Sequence, residues 1–226
     1  MSTFVTPAEL LPADILLYQG TSFLDKLIRL FDGTEYSHSS IYDGSKVLEA
    51  ILNGVELRDV AKSVADIGGG GSTGDVDVFR FVSQDGKHIG DSDYPAAPIL
   101  ARLAYYQAEH DEYAYEALLL LAVLTTTRRV PVPPELEPII RALLDQAADV
   151  LAKILAVGKQ PMICSELVYR CYAEADEKYE IRVRGADTDL SALTTTDPQR
   201  LVVADFVTTG DLKKSANLYK VGRLRV

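Results

Sequence analysis

Cysteine is scarce in this chain: there are two in 226 residues, Cys164 and Cys171. Two are too few for a disulfide framework. On one helix they would stand roughly 10 Å apart along the axis, beyond the ~7 Å between Cα atoms that a disulfide spans. Histidine is nearly as rare, with His38, His88 and His110 the only three. Basic residues are outnumbered, 23 Lys and Arg against 33 Asp and Glu, for a net charge of −10. A nucleic-acid binder normally presents a basic face, so no nucleic-acid partner is expected. Long apolar runs are also missing. The longest, ALLLLAVL at 117–124, is far short of the ~20 residues of a membrane-spanning helix. The opening MSTFVTPAELLPADILLYQG has no Lys or Arg before its first apolar run, which Pro and Asp break, so it does not read as a secretory signal. The expectation is a soluble cytoplasmic protein; export without a signal would leave no mark on the sequence.

Hydrophobic residues make up 47% and charged residues 25%, a composition that supports a real core. The length suits a single domain, 1–226, with room for an insertion. ADILLYQG (13–20) reads as a buried strand, and SFLDKLIRLFDG (22–33) as a helix stopped at Gly33. YSHSSIY and KVLEAI flank Asp43-Gly44 as a hairpin, GVELRDV (54–60) can add a strand, and VDVFRFV (76–82) alternates with period two. GGGGSTG (68–74) lacks the Lys-Ser/Thr ending of a phosphate-binding P-loop. Residues 98–128 and 135–157 are Ala/Leu-rich and helical, split by VPVPPELEP, and predict an antiparallel helical hairpin, 98–157, inserted in an α+β domain. His110, among Glu109, Asp111 and Glu112, could suggest a metal site; helix neighbours point in different directions, so a solvated face is the simpler reading. CSELVYRCYAEA (164–175) is a helix following Pro161, and the tail holds a strand, a polar turn or short helix, and a closing strand.

Three residues from these elements suggest chemistry. If Asp43-Gly44 form a two-residue type I′ turn, Tyr42 opposes Ser45 and His38 opposes Glu49. A carboxylate there can hold one ring nitrogen and stabilise the imidazolium. A loop one residue longer would turn Glu49 to the other face. Cys164 begins its helix, where the dipole and the unpaired N–H groups favour a thiolate and can receive an oxyanion. Cys171, two turns on, has neither advantage. Each feature also has an ordinary reading: a cross-strand pair for His38 and Glu49, and an apolar stripe with Leu167, Val168 and Ala175 for the cysteines. Together they form a Cys-His-acid set. His88, in the loop SQDGKHIGDSD, and His110 fit it less well.

At these residues the chain resembles the circularly permuted, papain-like NlpC-type cysteine amidases of the YiiX-like group. ADILLYQG resembles their opening strand, YSHSSIYDGSKVLEA the block with the catalytic His and a downstream Glu, and GVELRDV the next strand. MICSELVYRCY resembles the nucleophile helix, and VTTGDLKKSANLYKVGRL the terminal block. The matches cover roughly half the chain, near both ends, and 85–157 has no counterpart in them. Ala13 stands where the group usually has Gly, and Ser39 where an apolar residue follows the His.

The resemblance implies an α+β permuted papain-like fold with an antiparallel sheet, a packed nucleophile helix and the inserted helical hairpin. It implies a cysteine hydrolase of amides (peptide, cell-wall peptide or acyl-amide) working through a thioester acyl-enzyme. Cys164 would be the nucleophile, His38 the base and Glu49 its orienting acid. The Cys164 N–H would serve the oxyanion, with Gln160 as a second donor; an exposed loop Gln is the plainer reading of Gln160. No metal or organic cofactor is needed. A lipid-directed acyltransferase or thioesterase on the same triad, with peripheral lipid contact, stays open, as does a non-catalytic binding or effector protein that keeps the fold. Substrate identity and oligomeric state are not encoded in any of these motifs.

Overall fold

The computed structural model describes residues 3–51, 54–67, 75–109, 163–183 and 207–226. The fold is α+β, built on a seven-stranded sheet of order β1-β7-β6-β2-β3-β4-β5. Its strands are β1 (Phe4–Val5), β2 (Ile15–Gln19), β3 (His38–Tyr42), β4 (Val47–Ile51), β5 (Gly54–Arg58), β6 (Asp75–Phe81) and β7 (Leu218–Leu224). Every pairing is antiparallel except β1 with β7. The helices are α1 (Phe23–Asp32), α2 (Val60–Ile67), α3 (Ala97–Glu109), α4 (Cys164–Ala173) and α5 (Thr209–Lys214).

Local chemistry explains the boundaries. Ser22 caps α1 by accepting from the Asp25 N–H at 3.1 Å, and Gly33 ends it in the left-handed region at φ 63°. Strand alternation divides the core in two. On one face Ile15, Leu17, Ile41, Leu48 and Phe79 pack with Leu167, Val168 and Tyr172 of α4 and with Ile99 and Leu103 of α3. On the other face Leu16, Tyr18, Val76 and Val78 pack with Val60 and Val64 of α2.

Two expectations change here. The hairpin does not turn on two residues. Its pairs are Tyr42↔Val47, Ile41↔Leu48 and Ser40↔Glu49, which leaves a four-residue loop, 43–46. Asp43 selects that loop: its Oδ1 accepts from the Ser45 N–H at 2.7 Å, the Ser45 hydroxyl at 3.0 Å and the Lys46 N–H at 2.6 Å. Glu49 therefore opposes Ser40, not His38. The second difference is α2, which the sequence reading passed over. Its signals were an Asp at the cap, whose Oδ1 accepts from the Ala61 N–H at 2.9 Å, and apolar residues at 60, 64 and 67.

Of the segment expected as an insertion, the described part is α3. It packs on α4 and β5, with Ile99 and Leu103 buried in the main core. The rest of 98–157, including the pairing of its two helices and His110, lies outside the described residues. So do the 68–74 loop and the apolar strand expected before Val207.

Candidate active site

The site forms where the first residues of β3 and α4 meet. His38 opens β3 and Cys164 opens α4. Alternation turns His38, Ser40 and Glu49 to the α2 face of the sheet, whereas α4 packs on the opposite face. The thiol and the imidazole thus meet at the end of the strand, with no sheet between them.

Glu49 faces Ser40, so His38 is its diagonal neighbour on the same face, within reach of a long side chain. His38 Nε2 lies 3.0 Å from Glu49 Oε2. Cys164 lies beside the imidazole, close enough for sulfur and ring to shift each other's titration. All three residues are buried, at 4% exposure for Cys164, 3% for His38 and 0% for Glu49. The Tyr18 ring flanks the imidazole, with centroids 5.3 Å apart.

The electrostatics follow from these contacts. Burial opposes the imidazolium, but the Cys164 sulfur and the Glu49 carboxylate outweigh it and push His38 up to about 10. Burial raises the Cys164 thiol, yet His38, with help from Ser39, brings it below its ordinary value. The Ser39 backbone N–H lies close enough to the sulfur to favour its anion. The Ser39 hydroxyl has no well-formed hydrogen bond of its own, but it lies close enough to the sulfur to act in the same direction. Both shifts favour the thiolate–imidazolium form of the pair over the neutral one. Cys171 is the contrast: wholly buried, its thiol is pushed up by burial and by Glu174, against Arg102. Both cysteines are free.

Glu49 sits in a further set of contacts. Ser63 Oγ lies 2.9 Å from its Oε2, and Arg58 Nη1 donates to Oε1 at 2.8 Å. Ser63 Oγ is also 3.0 Å from the Tyr18 hydroxyl, which is 2.7 Å from Ser40 Oγ. Ser63 has one proton. Given to the carboxylate, it leaves Ser63 to accept from Tyr18 and Tyr18 to accept from Ser40, a chain in which each bond polarises the next. Burial pushes the Glu49 carboxyl up, but His38, Ser63 and Arg58 together hold it below its ordinary value.

The start of α4 presents N–H groups that an anion can use. The first intrahelical bond runs from the Leu167 N–H to the Ile163 carbonyl at 2.9 Å, so the N–H groups of Cys164, Ser165 and Glu166 have no partner inside the helix. Ile163, at the cap, has no side-chain acceptor to fill that place.

The structure thus brings together Cys164, His38 and Glu49, while Gln160 lies outside the described residues. His88 is elsewhere, bridging to Val82 and packed against Tyr219 with ring centroids 5.7 Å apart. Sequence reasoning missed the contributions of Ser39, Ser63, Arg58 and Tyr18. In the sequence Ser39 stands out only as a departure from an apolar position. Ser63 could have been found from the cap and spacing of α2. For Tyr18 and Arg58 the local pattern carried no signal.

No family model matches the chain, and no curated protein does. Among solved structures the chain is similar to the metalloprotein YiiX of Escherichia coli O157:H7. The TM-score is 0.48 at 14% identity, over 94% of this chain and 96% of that one. A likeness of that degree decides neither family nor chemistry. Among the described residues no group of three or more His, Cys, Asp or Glu is placed to hold a metal ion, and no helix is long and apolar enough to cross a membrane.

Proposed function

We propose that the chain is a cysteine hydrolase of the permuted papain-like, NlpC type that cleaves an amide bond. The observation that carries this reading is the contact of Cys164 with His38, whose Nε2 is held by Glu49 at 3.0 Å. A thiol, a base and an orienting acid in that order are what acyl transfer through sulfur requires.

The steps follow from the contacts. The Cys164 thiolate attacks the amide carbon, and the C=O π electrons move to oxygen as the carbon becomes tetrahedral. That oxyanion is received by the Cys164 N–H at the start of α4. Collapse reforms the C=O and breaks the C–N bond; the departing amine takes the proton from His38 Nδ1, leaving a thioester. His38, now neutral, removes a proton from water, whose oxygen attacks the thioester carbon. Collapse then expels the Cys164 thiolate and releases the acid. Glu49 stabilises the imidazolium in both halves and does not itself accept the proton.

A panel of fluorogenic peptide amides, muropeptide-like amides and N-acyl amides, read with the full chain and with Cys164→Ala, tests this. Turnover of at least one class, abolished in Cys164→Ala, is expected, with trapping of a thioester-linked acyl group on Cys164 by mass spectrometry. Turnover that persists in Cys164→Ala would reject the assignment of the nucleophile.

A further inference from the structure

Glu49 stands directly opposite Glu56 across the β4–β5 pair. Facing residues on one face of a sheet have Cβ atoms about 5 Å apart, and like charges there repel. Glu49 is wholly buried and Glu56 is partly so. A carboxylate in that position is disposed to take up a proton, and a protonated Glu49 could no longer support an imidazolium.

Arg58 opposes this. It is two residues beyond Glu56 on β5 and so shares its face. Its Nη1 donates to Glu49 Oε1 at 2.8 Å, and its Nη2 is tied to Asp66 on α2. With Oε1 taken by the guanidinium, Oε2 is left to His38 and Ser63. We propose that Arg58 is the positioning residue of this site: it holds Glu49 Oε1 so that Oε2 stays aimed, as an anion, at His38. The proposal rests on the cysteine-hydrolase reading and adds to it how the orienting acid is kept in place. The charged and titratable groups around Glu49 are His38 from β3, with Cys164 behind it on α4, Tyr18 from β2, Glu56 and Arg58 from β5, and Asp66 of α2 through Arg58. Of these Arg58 alone is a cation at every pH at which the site can be assayed.

Without Arg58, Glu49 and Glu56 face each other with no guanidinium between them. Glu49 then protonates at a higher pH, His38 loses its anionic partner, and the Cys164 thiolate becomes harder to form. The readout is the rate at which iodoacetamide alkylates Cys164 in the full chain across about pH 4 to 9, because alkylation follows the thiolate. Arg58→Met is expected to move the acid limb of that profile up by about one pH unit, which lowers the rate about tenfold at any pH on the wild-type acid limb. Arg58→Lys, which restores the charge, should recover most of the loss. In a Glu49→Gln background, Arg58→Met should add almost nothing, since a residue acting through Glu49 has nothing left to act on. Should Arg58→Met fail to fold, Arg58→Gln keeps a donor without the charge and takes its place. An acid limb that stays put, or an equal shift in both backgrounds, overturns the proposal while the hydrolase reading stands. A wild-type Cys164 that labels no faster than Cys171 at pH 6 overturns both.

Discussion

A thiol and an imidazole in contact at the starts of a helix and a strand share one proton, and the sign of every pH effect follows from where it rests. Cys164 is lowered from its ordinary value and His38 is pushed up to about 10, and both shifts favour the proton on His38. In the folded protein, iodoacetamide at pH 6 should alkylate Cys164 much faster than Cys171, whose thiol is pushed up. The rate at Cys164 should rise at a lower pH than that of an ordinary thiol, because its pKa is lowered. On the proposed hydrolase reading, turnover should instead fall as the pH rises through about 10, when His38 loses the proton proposed for the leaving amine. His38→Ala should narrow the gap between the thiols, and denaturation should erase it. Equal, slow labelling of both in the native protein would make Cys164 a packing residue.

A second residue-scale prediction concerns Ala13, which sits at φ 72°. The left-handed region costs an L-residue with a Cβ about 1–2 kcal/mol. Ala13→Gly relieves that, but it loses a buried methyl worth about 0.8 kcal/mol and adds about 0.4–1 kcal/mol of unfolded-state entropy. The terms nearly cancel, so Ala13→Gly should shift stability by less than about 1 kcal/mol, whereas β-branched Ala13→Val should cost about 2 kcal/mol or more. Chemical denaturation of the three proteins reads the difference; a large gain in Ala13→Gly would show that the strain is not offset by packing.

At the scale of an element, the hairpin decides whether the triad exists. Its four-residue loop displaces the pairing by two residues from that of a two-residue turn, and a displacement of two preserves the face. A displacement of one would not. Deleting Ser45 should therefore carry Glu49 to the α4 face and slow Cys164 labelling at pH 6 to the rate of the His38→Ala protein. Asp43→Ala removes three hydrogen bonds to the loop but leaves its length. It should cost about 1 kcal/mol of stability with labelling retained. Labelling that survives the deletion would mean that the strands re-register by a further residue.

Across the whole molecule, α3 belongs to the core that supports α4. Ile99 and Leu103 are 0% and 3% exposed and pack in the cluster that holds Leu167 and Val168. Leu103→Ala should destabilise the protein by about 2–5 kcal/mol in urea unfolding. A cost near zero would restore the view of α3 as a separable attachment. Removing 98–157 as a block takes Ile99 and Leu103 with it, so a deletion that tests substrate access has to begin after Glu109.

What depends on near neighbours was legible in the sequence. Ser22 and Gly33 delimit α1, the alternation of 76–82 marks β6, and the position of Cys164 at a helix start follows from the apolar spacing of 164–175. The shared face of His38 and Glu49 was legible too, because alternation has a period of two and either loop length gives the same parity. Their actual pairing was not, since Asp43 as a loop acceptor competes with the Asp-Gly turn signal and the sequence does not say which prevails. Tertiary contacts bring Ser39 beside the sulfur, close Arg58 and Ser63 around Glu49, set β1 parallel to β7, and join α3 to the core. Each of these joins residues from separate elements. The free energy that selects them is burial and charge compensation in the assembled protein, which no window of sequence contains.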